Sequence, residues 1–311
     1  MDLSIVIPCF NERESLPELF RQLTAVLERT KRSYEILMVD DGSSDGTWDY
    51  VAEAHEDDER IRGIRFRRNF GKSAALTAGF AEARGDVVIT LDADLQDDPD
   101  EIPRFLELID EGVDMVTGWK QNRQDPLEKT LPSRLFNRVT SRLTGLDLHD
   151  FNCGFKGYRR AVIDEIRVQG DMHRFIPVLA HQQGFAIAEL PVKHNPRRHG
   201  KSKYGFERYL RGATDLVTII FLTKYAQRPG HLFGGGGLLL GGAGFAICLY
   251  MAILWFLGFR PIGNRPLLLL GILLLIMGVQ FVSIGLIGEM LSRLTTTTDT
   301  SHAFSIRERL D

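Results

Sequence analysis

The chain has 311 residues, 44% of them apolar, and a formal net charge of −3. It is therefore long enough for one large domain or two small ones, and it lacks the bulk basic excess that nucleic-acid binding draws on. Its three cysteines, Cys9, Cys153 and Cys248, are far apart and lack the spacing of a metal site or a disulfide framework, which suits a reducing compartment. The N-terminus, MDLSIVIPCFNE, has no basic region followed by a long apolar core, so no cleavable signal peptide is expected and the first part of the chain is expected in the cytoplasm.

In chain order, short apolar runs rich in β-branched residues predict strands over 4–7, 35–39, 61–66, 87–91 and 114–117. Between them, apolar residues at period 3.6 predict helices over 16–27, with Ser15 as N-cap and Pro17 in the first turn, over 73–83, closed by Gly85, and over 102–109, entered through Pro99. The repeated β-α-β pattern implies an α/β fold, a mostly parallel sheet with helices on both faces. Ligands on such sheets bind beyond the carboxyl ends of the strands. Polar clusters fall there, at 8–12, 40–45 and 92–98.

The densest is LDADLQDDPD, with five aspartates in residues 91–100. Such crowding is either a solvated acidic turn or the seat of a cation. A calcium loop of the EF-hand type is excluded, because Asp97 stands where its glycine belongs and Pro103 where its bidentate glutamate belongs. Phe70-Gly71-Lys72-Ser73 ends like a P-loop, yet Phe66 replaces the first glycine and leaves the phosphate cradle incomplete. DDGSSDGT at 40–47 reads equally well as a turn with a helix cap or as a ligand loop. Asp92 and Asp94 can face one cleft if the chain turns between them, and their hard oxygens suit Mg²⁺ or Mn²⁺ beside a diphosphate. Asp97, Asp98 and Asp100 read as helix-start residues around Pro99, matched to the positive end of the following helix.

After Arg228 the composition changes. Residues 232–259 and 267–291 carry one formal charge, Glu289, and each run exceeds the roughly 20 residues that cross a bilayer as a helix. Two transmembrane helices are expected, with a pair of buried core helices as the alternative. Arg208, Arg211, Lys224 and Arg228 precede the first span and Arg293, Arg307 and Arg309 follow the second, which puts both termini on the cytoplasmic side. Glycines at 234–237, 241, 242 and 244 point to close helix packing and leave room for a homo-oligomer. Upstream, RRHGKSKY leads into an amphipathic stretch suited to the membrane interface.

The motifs IVIPCFNE, VDDGSSDGT, RNFGKSAALTAGF and DADLQDDP, in that order, resemble the family 2 glycosyltransferases of GT-A fold. With the paired apolar spans, the chain is similar to the polyprenyl-phosphate members, relatives of dolichyl-phosphate mannose and glucose synthases and of bacterial undecaprenyl-phosphate glycosyltransferases. The resemblance implies a cytoplasmic GT-A catalytic domain over 1–203, juxtamembrane amphipathic helices over 204–228, a transmembrane hairpin over 229–292 and a cytoplasmic tail over 293–311. It implies inverting transfer of a hexose from a UDP- or GDP-sugar to undecaprenyl or dolichyl phosphate at the membrane.

Carried over by position, Pro8, Phe10, Glu12, Asp41, Lys72 and Asp92 line the nucleotide-sugar pocket, and Asp92, Asp94 and Gln96 hold Mg²⁺ or Mn²⁺. Asp150, in HDFNCGFKGY, resembles the acidic position near sugar and acceptor, a positioning group or auxiliary base that joins Asp94 as a catalytic residue. Lys120, Lys129, Ser133, Arg197, Ser202 and Lys203 are expected on the lipid phosphate. Lys120 and Lys129 stand where the family usually has arginines, so they bind as point charges and not as bidentate forks. Two other readings stay open: a processive polysaccharide synthase, whose Q-x-x-R-W motif is missing here, and a non-catalytic membrane-anchored nucleotide-sugar scaffold.

Overall fold

The structure, a computed structural model, describes residues 1–121, 137–142, 144–166, 172–195, 229–259, 261, 263, 265–294 and 306–310. The chain divides into two compact units, Met1–Leu216 with Thr300–Asp311, and Val217–Asp299.

The first unit is built as β1 (Leu3–Cys9), α1 (Leu16–Thr30), β2 (Tyr34–Asp40), α2 (Thr47–Asp57), β3 (Ile61–Phe66), α3 (Lys72–Glu82), β4 (Val87–Thr90), α4 (Ile102–Asp110), β5 (Met115–Lys120), β6 (Lys156–Arg159), α5 (Arg160–Glu165), α6 (Ile176–Gln182), β7 (Ile187–Val192) and β8 (Ile306–Leu310). One eight-stranded sheet has the order β7-β5-β6-β4-β1-β2-β3-β8. Its centre, β4-β1-β2-β3, is parallel, as the β-α-β pattern predicts.

Side chains alternate across the sheet. Ile5 and Ile7 join the core under α1, α2 and α4, while Val6 between them joins the core under α3, α5 and α6. Helix α1 shows why such segments fold as they do. Leu16, Leu19, Phe20, Leu23, Val26 and Leu27 form one buried stripe at helical spacing, and Lys31 ends the helix with φ 56° in the left-handed region. Each fully buried leucine contributes about 2 kcal/mol.

Two local expectations are corrected. Ser15 sits at the start of α1, but its hydroxyl makes no cap; it donates to the Glu12 carbonyl at 2.8 Å. Gly85 does not close α3. That helix ends at Glu82, and a Cβ on Gly85 would stand 2.6 Å from the Leu3 carbonyl carbon, so the glycine serves close approach to β1.

Strands β6 and β8 were not anticipated. β6 lies antiparallel between β4 and β5. β8 comes from the expected C-terminal tail and pairs antiparallel with β3, covering its open edge. Arg309 of β8 holds Glu82 at the end of α3 at 2.9 Å.

The second unit contains α7 (Pro229–Phe256) and α8 (Pro266–Leu294). Within them, Gly230–Phe256 and Pro266–Leu291 are long and apolar enough to cross a membrane. Large side chains such as Leu238, Leu239, Phe245, Leu269 and Met290 are exposed, the surface expected of lipid-facing helices. The two helices pack on glycines: a Cβ on Gly237 would meet the Gly278 carbonyl oxygen at 2.7 Å, and one on Gly244 would meet the Gly271 carbonyl oxygen at 2.7 Å. Gly234, Gly235 and Gly242 have open space beside them. Glu289 lies against Gly230, at the positive end of α7.

Candidate active site

The carboxyl ends of β1, β2 and β4 carry the expected clusters, and hydrogen bonds lace their loops together. Asn11, with φ 56°, donates its backbone N–H to Ser43 Oγ at 2.8 Å and accepts from Ser44 N at 2.9 Å through Oδ1. Glu12 N–H donates to Thr47 Oγ1 at 3.0 Å. Residues 40–47 thus form the turn that leads into α2, tied by these bonds to the β1 loop. Pro8, Phe10 and Glu12 are half-buried along this rim.

Asp41 is 5% exposed. Its carboxylate accepts the N–H of Phe70 at 2.6 Å and of Gly71 at 2.9 Å, tying the β2 loop to the start of α3. Burial raises its pKa, with the two backbone donors opposing. Gly42, at φ 77°, is required here because a Cβ would strike the Arg68 backbone at 2.6 Å.

From this anchored loop α3 begins with Lys72, whose ammonium pairs with Asp92. Burial works against charge on Asp92, but Lys72 and Lys120 outweigh it and hold the carboxyl well below the usual range. Leu95 follows with φ 61°, a left-handed conformation that is strained for a bulky residue. Gln96 N–H donates to Asp94 Oδ1 at 3.2 Å, closing a turn directly after the two aspartates. Asp92, Asp94 and Gln96 offer only hard oxygen donors and fit a divalent cation of the Mg²⁺ or Mn²⁺ type. Among the described residues no group of three or more His, Cys, Asp or Glu side chains converges as a metal site. Ligand oxygens would therefore have to complete the coordination.

The aspartates after this turn do not share one duty. Asp98 caps the short 3₁₀ turn Pro99–Glu101 by accepting Asp100 N–H, and Asp100 pairs with Arg29 on the surface. Asp97 is corrected from a helix-start residue to a buried member of the site, 2.8 Å from Lys120 Nζ. Lys120, expected on a lipid phosphate, has its ammonium engaged by this carboxylate.

Asp150 is buried in the loop before β6. Glu189 of β7 holds that loop, accepting the N–H of His149 at 2.8 Å and of Asp150 at 3.0 Å through Oε1. Its other oxygen lies 2.7 Å from His149 Nδ1, and the His149 ring stacks on Trp119 at 4.1 Å. From beneath, the Lys156 ammonium donates to the carbonyls of Cys153 and Phe151.

Sequence reasoning missed Asp97 as a site residue, and with it Glu189, Lys156, His173 and His194. His194 forms a bridge with Asp97, and its ring nitrogen lies 3.4 Å from Gln96 Nε2. Only its place after an apolar run could have singled it out. Lys129, Ser133, Arg197, Ser202 and Lys203 lie outside the described residues.

Residues 4–167 match the profile of Glycosyl transferase family 2. The chain belongs to that family. Among curated relatives, this family 2 member is 38% identical to the dodecaprenyl-phosphate galacturonate synthase of Rhizobium johnstonii over 319 residues, covering 100% of this chain and 94% of the relative. It is 39% identical to the undecaprenyl-phosphate 4-deoxy-4-formamido-L-arabinose transferase of Salmonella paratyphi A, covering 94% and 88%. Solved structures bear out the GT-A fold. The mannosyl-3-phosphoglycerate synthase of Rubrobacter xylanophilus has a TM-score of 0.58 at 18% identity, covering 71% of this chain and 74% of that one. The glucosyl-3-phosphoglycerate synthase of Mycobacterium tuberculosis, crystallised with Mn²⁺, UDP and glucosyl-3-phosphoglycerate, has a TM-score of 0.54 at 17% identity, covering 71% and 78%.

Proposed function

We propose that this family 2 glycosyltransferase moves a sugar from a nucleoside-diphosphate donor to a polyprenyl phosphate, with inversion, at the cytoplasmic face of a membrane. The observation that carries the reading is one chain joining the Asp92–Asp94 turn at the end of β4 to two membrane-length helices. Relatives named for polyprenyl-phosphate sugar transfer support it, since they align along almost the whole length.

Donor and acceptor are both anions, so their repulsion must be offset before the phosphate oxygen reaches the anomeric carbon. Asp92, Asp94 and Gln96 would hold Mg²⁺ or Mn²⁺, which supplies neutralisation of the donor diphosphate; a GT-A neighbour crystallised with Mn²⁺ and UDP supports this assignment. Lys72 keeps Asp92 ionised and oriented. Pro8, Phe10, Glu12 and Asp41 form the rim suited to the nucleotide. Asp150, fixed by Glu189, orients the acceptor. A phosphate monoester has a second pKa of about 6 and is already nucleophilic at neutral pH, so a strong general base is not required. Lys129, Ser133, Arg197, Ser202 and Lys203 are assigned to the lipid phosphate, and Lys120 to the edge of that site.

The test uses purified protein in detergent with undecaprenyl or dolichyl phosphate and a panel of UDP- and GDP-sugars that includes UDP-galacturonate. Nucleoside diphosphate release that requires the lipid phosphate, and that disappears in a folded Asp94→Ala variant, supports the transferase. Tight donor binding without turnover supports a scaffold, and a growing polymer supports a polysaccharide synthase.

A further inference from the structure

Strand β8 joins the sheet only after the chain has passed through the second unit, so the first unit is assembled from two segments far apart in sequence, Met1–Leu216 and Thr300–Asp311. β8 runs antiparallel along β3 from Gly63↔Leu310 to Phe66↔Ile306, with a register shift between Arg65 and Phe66. Leu310 packs against the core under α1, α2 and α4. Arg309 holds Glu82, whose backbone carbonyl accepts from the buried Arg62 of β3 at 3.1 Å. An ion pair as exposed as Arg309–Glu82 adds little by itself, so the backbone ladder and Leu310 supply most of the attachment.

The part of the sheet that β8 covers leads directly into the candidate site. Without a partner β3 would be the edge of the sheet, and an edge strand with open backbone groups is where local opening begins. The last residues of β3 carry contacts on which the site depends. Arg65 Nε lies 3.6 Å from Asp40 Oδ2, one residue before Asp41. The Phe66 ring meets the Phe70 ring edge-on at 5.7 Å. Phe70 and Gly71 give their N–H groups to Asp41, and Lys72 follows at the head of α3. β8 therefore touches this stretch of chain on both sides of the loop, at Phe66 through the ladder and at Glu82 through Arg309.

We propose that β8 is a positioning element of the nucleotide site: by bracing β3 at Phe66 and α3 at Glu82, it keeps residues 67–72 in the conformation that receives the donor nucleotide. The assignment rests on the transferase reading above, in which Asp41 and Lys72 face the nucleotide. A loop that is ordered beforehand binds more tightly, because it does not have to be ordered on binding. The two membrane-length helices thus interrupt the chain but not the sheet, and residues 1–216 alone are an incomplete donor site.

The experiment compares the full-length protein in detergent with a variant lacking residues 306–311 and with Leu310→Asp. UDP and GDP are each titrated calorimetrically with Mg²⁺, at a temperature where circular dichroism shows every protein folded, and amide hydrogen exchange follows residues 67–72. Affinity for the nucleotide that wild type binds falls about tenfold in the deletion variant and by a smaller factor in Leu310→Asp. Exchange at Phe70 and Gly71 rises, while β1 and β4 stay as protected as in wild type. Unchanged affinity and protection in the deletion variant overturn the proposal, and so does an even loss of protection across β1 to β4, which makes β8 a stabilising strand only. Where the deletion variant does not fold, Leu310→Asp decides by the same two measurements. Wild-type protein that binds neither nucleotide overturns the transferase reading itself.

Discussion

Lys120 Nζ lies 2.8 Å from Asp97 Oδ1, and the two side chains are 12% and 0% exposed. Burial opposes charge on the lysine, but Asp97 more than compensates and raises its pKa. Breaking such a pair from one side leaves an uncompensated buried charge, at about 3–5 kcal/mol. Lys120→Met and Asp97→Asn should each lower the midpoint of chemical unfolding by that order, and the double variant should recover most of the loss. A lysine serving only the lipid phosphate would instead raise the acceptor KM and leave unfolding unchanged.

Gly154 stands directly behind the metal-type turn. A Cβ there would lie 2.7 Å from Asp92 Oδ2 and 2.9 Å from its Cγ. Gly154→Ala should therefore displace the carboxylate from Lys72 while leaving the sheet intact. Turnover should fall about 100-fold, the scale of a misplaced reactive group, with a stability change near 1 kcal/mol. Steady-state kinetics paired with thermal unfolding checks both halves.

Glu189 acts on Asp150 through the backbone, so it is a positioning residue. Glu189→Ala removes the acceptor for two N–H groups and should lower kcat about tenfold or more with little change in donor KM. Glu189→Gln keeps an oxygen facing both donors and should retain most activity. Equal losses in the two variants would argue that the carboxylate charge beside His149 matters more than the loop geometry.

Lys156 is 3% exposed, and burial holds its pKa at about 8. An unfolded lysine titrates near 10.4, so between those values the unfolded chain binds more protons and stability from this group rises with pH. Wild type should gain on Lys156→Met by on the order of 2 to 3 kcal/mol between about pH 8 and pH 10. Cys153, raised to about 12 by burial, works in the opposite sense above about pH 9, which is why the variant is the reference. A pH-independent difference between the two proteins would rule out a depressed lysine.

Much of the candidate site was legible because its signals are local. Asp92 and Asp94 sit one residue apart at the end of an apolar strand, and Leu95 bends the chain directly after them. Asp97 was misread for a related reason. It lies beside a proline and a helix start, so its neighbours in sequence suggested capping, whereas its partner Lys120 is on β5, beyond α4. His173 carried no signal at all, since Ser73 is 100 residues away.

By itself the sequence determined what periodicity and run length encode: the parallel strands β1 to β4, the covering helices α1, α3 and α4, and two helices long enough for a bilayer. Only the tertiary structure decided the antiparallel insertion of β6, the return of β8 to the sheet edge, and the pairings Asp97–Lys120, Asp150–Glu189 and Ser73–His173. The physical reason is that hydrophobic pattern fixes how a segment folds against its own neighbours. The state of a buried charge or ring nitrogen depends instead on which distant loop the sheet order brings within hydrogen-bond reach.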